Sequence, residues 1–106
     1  MHKSTWKKWE TYVAKKLGGV RRGADYGGVS GGKDDIIHKA YSVECKVLSQ
    51  IQWCDVQAAI RQAEANAPTL RMPLAVLRKK GQPKSSAVVC IGLDTFAEWH
   101  GSYRHD

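Results

Sequence analysis

Residues 35–47 read DIIHKAYSVECKV, and the fold turns on how this stretch pairs with itself. Asp35–His38 and Tyr41–Val47 have the β-branched and aromatic content of strands, and Lys39-Ala40 between them is short enough for a tight turn. Centring the turn on Lys39-Ala40 sets His38 opposite Tyr41, Ile36 opposite Val43 and Asp35 opposite Glu44. Side chains alternate faces along a strand, and directly opposed residues share one. Ile36, Tyr41, Val43 and Cys45 therefore form an apolar face with His38 at its rim. Asp35, Ile37, Ser42, Glu44 and Lys46 form the other. The register that buries the apolar residues also gathers two carboxylates and a lysine.

That gathering is chemically costly without a reason. Opposed like charges repel, and a divalent cation between them removes the conflict. Magnesium suits such a site, being a hard ion held through one or two carboxylates, waters and phosphate oxygens. Glu44-Cys45-Lys46 alone carries little weight, because a Glu-x-Lys triplet arises by chance in roughly a third of chains this long. Asp35 across the turn is what gives it meaning. Asp34 competes for the same role, but the register points it toward the Cys45 side, at the core or its edge.

Outward from the hairpin, Trp6, Trp9, Val13 and Leu17 recur at helical spacing from Ser4 to Leu17, with Ser4 as cap and Gly18-Gly19 as a left-handed stop. Glu10 falls at the edge of this apolar stripe, where a carboxylate needs a cation or hydrogen bonds. Val20–Arg22 suggests a short strand. Residues 23–32 hold five glycines and read as a flexible loop. A second helix is expected from an Asp55 cap to Ala67, before Pro68, with Val56, Ala59, Ile60 and Ala63 inward. Leu74–Arg78 and Ala87–Leu93 read as strands flanking a basic loop, and Asp94 as the cap of a last helix carrying Phe96 and Trp99. Helix, three strands, helix, two strands, helix make a single α/β domain over residues 1–106 with a mixed sheet.

At 106 residues the chain has room for one hydrophobic core. No apolar run of membrane-spanning length and no signal-peptide stretch stands out, which predicts a cytoplasmic protein, nucleoid-associated or in a host's cytoplasm if phage-encoded. Cys45, Cys54 and Cys90 lack C-x-x-C spacing and read as reduced buried thiols. The four histidines lack zinc-module spacing. Net charge is +7, with ten Lys/Arg against five acids in residues 1–46 and seven against five thereafter. A basic first half suits a polyanion partner. Lys7, Lys8, Lys15, Arg21, Arg22 and Lys33 are the candidate phosphate contacts, with the Lys79/Lys80/Lys84 loop behind them. Residues 27–33 imitate a phosphate loop up to Lys33, but Asp34 replaces the required Ser/Thr and a strand follows, so no nucleotide cofactor is expected.

With these residues placed, the chain resembles the PD-(D/E)XK nuclease superfamily and, within it, the archaeal-type Holliday junction resolvases, forms of which also occur in phages. The resemblance spans most of residues 4–93. It rests on the helix bearing Glu10, Arg21-Arg22 before the glycine-rich loop, Ser30, the Asp35 strand and Val43-Glu44-Cys45-Lys46-Val47. Asp34 stands where that family usually has proline. The resemblance implies a restriction-endonuclease-like αβββαβ core with helices flanking a mixed sheet. It implies metal binding by Asp35 and Glu44, with the Cys45 carbonyl as a further ligand and Glu10 supporting the metal or its water. Lys46 would orient or help deprotonate the attacking water, and Ser30 would be the loop serine of the site. Magnesium, replaceable by manganese, is the implied cofactor.

Three readings stand open at this point. One is a junction-resolving or related structure-specific DNA endonuclease. Another is a PD-(D/E)XK enzyme that nicks or cuts duplex DNA. The third is a catalytically silent nucleic-acid-binding module. A resolvase makes two symmetric cuts, so the first reading predicts a homodimer, with Val88, Ile91, Phe96 and Trp99 at the interface. The bland account of those residues is that they close the monomer's core. Trp53 likewise reads as a core or dimer contact, and Gln57 and Arg61 as a solvated helix face.

Overall fold

The computed structural model describes residues 3–23 and 34–101. Ser30 and Lys33, expected in the site, lie outside those residues, as does most of the glycine-rich stretch. The described elements are α1 (Lys3–Leu17), β1 (Val20–Arg21), β2 (Ile36–Ile37), β3 (Tyr41–Leu48), α2 (Trp53–Asn66), β4 (Met72–Lys79), a 3-10 turn at Lys84–Ser86, β5 (Val88–Cys90) and α3 (Leu93–His100). The strands form one mixed sheet in sequential order. β1–β2, β2–β3 and β4–β5 are antiparallel, while β3 and β4 run parallel across the α2 crossover. The expected α/β architecture with a mixed sheet is present.

The expected hairpin register is present too, for Ile36 pairs with Val43. Lys39-Ala40 is a poor choice for a two-residue turn, and His38 is what makes it work. Its Nδ1 accepts from the Ala40 and Tyr41 N–H groups at 2.9 and 3.3 Å. That assigns the ring proton to Nε2, which donates to the Leu17 carbonyl at 2.8 Å. One imidazole thus closes the turn and satisfies an orphan carbonyl at the end of α1.

The glycines after α1 have different reasons. Gly18 takes φ +78°, and the N–H groups of Gly18 and Gly19 return to the Lys15 and Ala14 carbonyls as a Schellman cap. Gly19 is not left-handed; a Cβ there would stand 2.7 Å from the Ile37 carbonyl oxygen, so it is the close approach to β2 that demands glycine.

α1 covers one face of the sheet, burying Trp9, Val13 and Ala14 against Ile36, Val43, Cys45 and Val76. α2 covers the other, with Ala59 packed on Ala75 and Leu77, and Val56, Ile60 and Cys90 closing around them. Fully burying a side chain the size of Val13, Ile36 or Leu77 stabilises by about 1.5–3 kcal/mol, and an alanine methyl by about 0.8 kcal/mol. The two helices thus divide β3: its odd residues face α1, while Ser42, Glu44 and Lys46 face the α2 side.

Several boundaries differ from the sequence reading. α1 begins at Lys3, so Ser4 lies inside its first turn and is not the cap. Asp55 is the third residue of α2; its carboxylate reaches back to accept from the N–H of Gln52, the true N-cap, at 2.9 Å. β5 is shorter than expected because Gly92 caps α3 and Leu93 opens it. α3 has no buried residue: Phe96 is 48% and Trp99 40% exposed, so neither closes the core. Trp53 is also exposed and not a core residue. Cys45 is buried as expected, but Cys54 is exposed and Cys90 only half-buried. No helix among the described residues is long and apolar enough to cross a membrane.

Candidate active site and metal centre

β2 is only two residues long, so among the described residues β3 runs on past the Ile36–Val43 pairing at Glu44 and Cys45. The Asp35 N–H donates to the Val43 carbonyl at 2.9 Å, one residue out of step with the Ile36–Val43 pairing. The Asp35 carboxylate serves as an acceptor for β3, with Oδ2 receiving the Cys45 N–H at 2.8 Å. A strand residue's N–H and C=O project toward the same edge. The Cys45 carbonyl therefore points past the end of β2, beside Asp35. Its thiol points the other way into the α1 core, where burial pushes it far above its ordinary range. Cys45 can offer a backbone oxygen here but no thiolate.

Glu44 is 2% exposed. Burial, above all, pushes its carboxyl from 4.5 up to about 7, and the neighbouring Asp35 charge adds to the rise. Opposing it, Asn66 at the end of α2 donates to Oε1 at 3.0 Å and the Lys46 charge favours the carboxylate. Asp35 is raised as well, by burial first, against the stabilising Cys45 N–H and Lys46 charge. The two carboxyls are close enough to perturb each other's ionisation, so they titrate as a pair. They meet as the register required, and neither can ionise cheaply beside the other.

Glu10 approaches from α1. It is buried, and Arg21 Nε donates to its Oε1 at 2.7 Å. Burial raises its pKa, chiefly against the Arg21 hydrogen bond, and the Asp35 charge raises it further. Glu10, Arg21, Asp34, Asp35 and Trp6 line an open cleft of about 340 Å³.

Asp34 does what its opposite orientation dictates. It is buried in an ion pair with Arg22, whose Nη2 and Nε both reach Oδ1, while Nε also donates to the Asp34 carbonyl at 2.8 Å. Arg22 is itself buried. This corrects its assignment as a phosphate contact: its guanidinium is spent on tying β1 to the start of β2. Arg21 is half-buried and committed to Glu10. Lys7, Lys8 and Lys15 stand exposed on α1 as expected.

Sequence reasoning missed Asn66, because nothing in a polar residue at a helix end announces a partner 22 positions away. It also missed that both arginines pair with acids; the basic-acidic spacing around the loop was the available signal.

No family model, curated protein or solved structure matches the chain. The site must be read from its own chemistry. Among the described residues, no three His, Cys, Asp or Glu side chains are grouped to hold a metal ion by themselves. Asp35, Glu44 and the Cys45 backbone are neighbours: Asp35 Oδ2 accepts the Cys45 N–H at 2.8 Å, and the charges of Asp35 and Glu44 act on each other.

Proposed function

We propose that the protein is a metal-dependent DNA endonuclease of the PD-(D/E)XK type, with a restriction-endonuclease-like αβββαβ core and a four-way junction as its foremost substrate. The observation that carries this reading is the pair of neighbouring carboxyls, buried Glu44 and half-buried Asp35, both resistant to ionisation, with Lys46 two residues along the same strand. Carboxylates placed so that both resist ionisation are a poor structural device and a good cation site.

The donor set fits magnesium or manganese: Asp35, Glu44 and the Cys45 carbonyl are hard oxygens, too few to fill a coordination shell, which leaves positions for water and phosphate. A bound ion would supply Lewis-acid polarisation of the phosphate and a more acidic water. The chain's own residues would do the rest. Asn66 holds the Glu44 carboxylate in one rotamer, and the Cys45 N–H holds that of Asp35. Lys46, whose charge acts on both acids, would orient a water and offset phosphate charge. Glu10, fixed by Arg21, presents a carboxylate to the cleft that also contains Asp35. Lys7, Lys8 and Lys15 supply cations for the DNA backbone.

Labelled four-way junction, linear duplex and single strand, incubated with and without magnesium, test the reading. Magnesium-dependent cleavage of the junction supports it. Cleavage of duplex alone moves the assignment to a nicking or restriction-like enzyme. Binding without cleavage under any divalent cation favours the silent binding module, whose supporting observation is the absence of a three-side-chain metal cluster among the described residues.

A homodimer belongs to the resolvase reading. Val88, Phe96 and Trp99, expected at its interface, are exposed, while Ile91 is half-buried, and β5 is an edge strand of the sheet formed by the described residues. Light scattering on the DNA-free protein checks it, and a strict monomer that stays one-to-one on a junction rules out the resolvase.

A further inference from the structure

A second groove lies on the flank of α1 away from Glu10. Trp9, Tyr12 and Lys16 form one wall, and Lys84, Ala87 and Val89 the other, around about 200 Å³ of space. Tyr12 stacks on Trp9 with ring centroids 6.2 Å apart and planes 18° from parallel. The Nζ atoms of Lys16 and Lys84 lie 5.7 and 5.9 Å from the Tyr12 centroid. Trp9 is fully buried, yet its Nε1–H has no hydrogen-bond partner among the described residues. An unsatisfied buried donor costs about 1–3 kcal/mol, which the fold carries at the wall of an open groove. Lys7, Lys8, Thr11 and Lys15 bound an adjoining depression that shares Tyr12 and Lys84.

We infer that this groove binds one unpaired nucleotide of a nucleic-acid strand, its base against Tyr12 and its phosphates on Lys16 and Lys84. The inference rests on the nucleic-acid reading above and deepens it by naming the substrate class: DNA with a single-stranded segment close to the cleavage point. Proteins that hold single strands combine an aromatic platform for the base with a cationic track for the backbone, and both are here. The groove is too small for a stacked base pair, which selects an unpaired base. The track is continuous as well. On the α1 wheel Glu10 and Tyr12 lie about 200° apart around the solvent side, and Lys7, Lys15 and Lys8 follow one another in that order along the arc between them. A strand leaving the acidic cleft crosses those lysines before reaching Tyr12. Nothing in the cleavage chemistry calls for a stacked aromatic pair on this side of the helix.

Fluorescence anisotropy in EDTA tests this without any catalysis. The probes are a blunt duplex and the same duplex with a short oligothymidine tail. The tailed duplex should bind about tenfold tighter, the effect of one stacked base. Tyr12→Leu keeps an apolar filler without the ring, and the surface pair Lys16→Gln with Lys84→Gln leaves the core untouched. Each should erase the preference for the tail while the protein keeps its wild-type circular dichroism. Equal affinity of the wild-type protein for both probes overturns the proposal, and so does a tail preference that survives in the folded lysine variant. Competition by polyglutamate or by phosphatidylserine vesicles as strong as that by oligothymidine also overturns it, since the groove would then be a general anion or lipid site. The nuclease reading fails separately, by a tail preference intact without magnesium-dependent cleavage of any DNA.

Discussion

Glu44→Gln should make the metal-free protein more stable at pH 8 and catalytically dead. The folded protein holds the Glu44 proton up to about pH 7, whereas an unfolded chain releases it near 4.5. Between those values the folded state binds more protons, so stability is full below about 4.5 and falls as pH rises toward 7. That interval corresponds to about 3 kcal/mol at ~1.4 kcal/mol per pH unit. Asp35 is displaced in the same direction and adds to the loss as a coupled partner. The substituted amide would resemble the protonated acid: its oxygen keeps the Asn66 bond and its NH₂ group can donate to Asp35. Urea unfolding in EDTA at pH 5 and pH 8 is the assay. Wild type should lose up to about 3 kcal/mol between the two, the variant much less, with melting-temperature differences of roughly 10 °C. Magnesium at pH 8 should restore the wild type and leave the variant nearly unmoved, because binding to the folded state alone stabilises it. A variant no more stable than wild type at pH 8, or a wild type indifferent to magnesium, refutes the idea that this pair is held in strain for a cation.

Asp35→Asn should abolish cleavage and keep both folding and DNA binding, since the amide oxygen can still accept the Cys45 N–H; cleavage at the wild-type rate excludes Asp35 from the site. Asp34→Asn should act on stability instead, costing about 1–3 kcal/mol by replacing the carboxylate that faces the buried Arg22 guanidinium with a neutral amide, as read from its urea midpoint. Replacing Lys7, Lys8 and Lys15 together by Gln should shallow the log–log salt dependence of DNA affinity by up to about 2.7, at ~0.9 per neutralised phosphate contact; an unchanged slope moves the backbone contacts elsewhere. His38→Phe keeps the stacking on Tyr41 but removes the turn's acceptor, and should destabilise by roughly 1–3 kcal/mol in thermal melts.

Periodicity carried what the chain could say alone. The alternation of Ile36, Val43 and Cys45 against Asp35, Glu44 and Lys46 determined the hairpin register, and the register brought the two acids together. The α1 stripe determined which face buries, and Glu10's place at its edge followed. These are local properties, because one slipped residue would turn every apolar side chain to water. Tertiary packing decided the rest. It brought Asn66 onto Glu44 and His38 onto the end of α1. It turned Arg22 from a surface cation into the buried partner of Asp34. It left Phe96 and Trp99 in solvent, because the α2 side of the sheet is already filled by Ala59, Ala63, Val56 and Ile60. It also set Lys84 beside Tyr12 across 72 residues of chain. Such contacts depend on where separate elements come to rest against one another, and no repeat of two or of 3.6 residues encodes that.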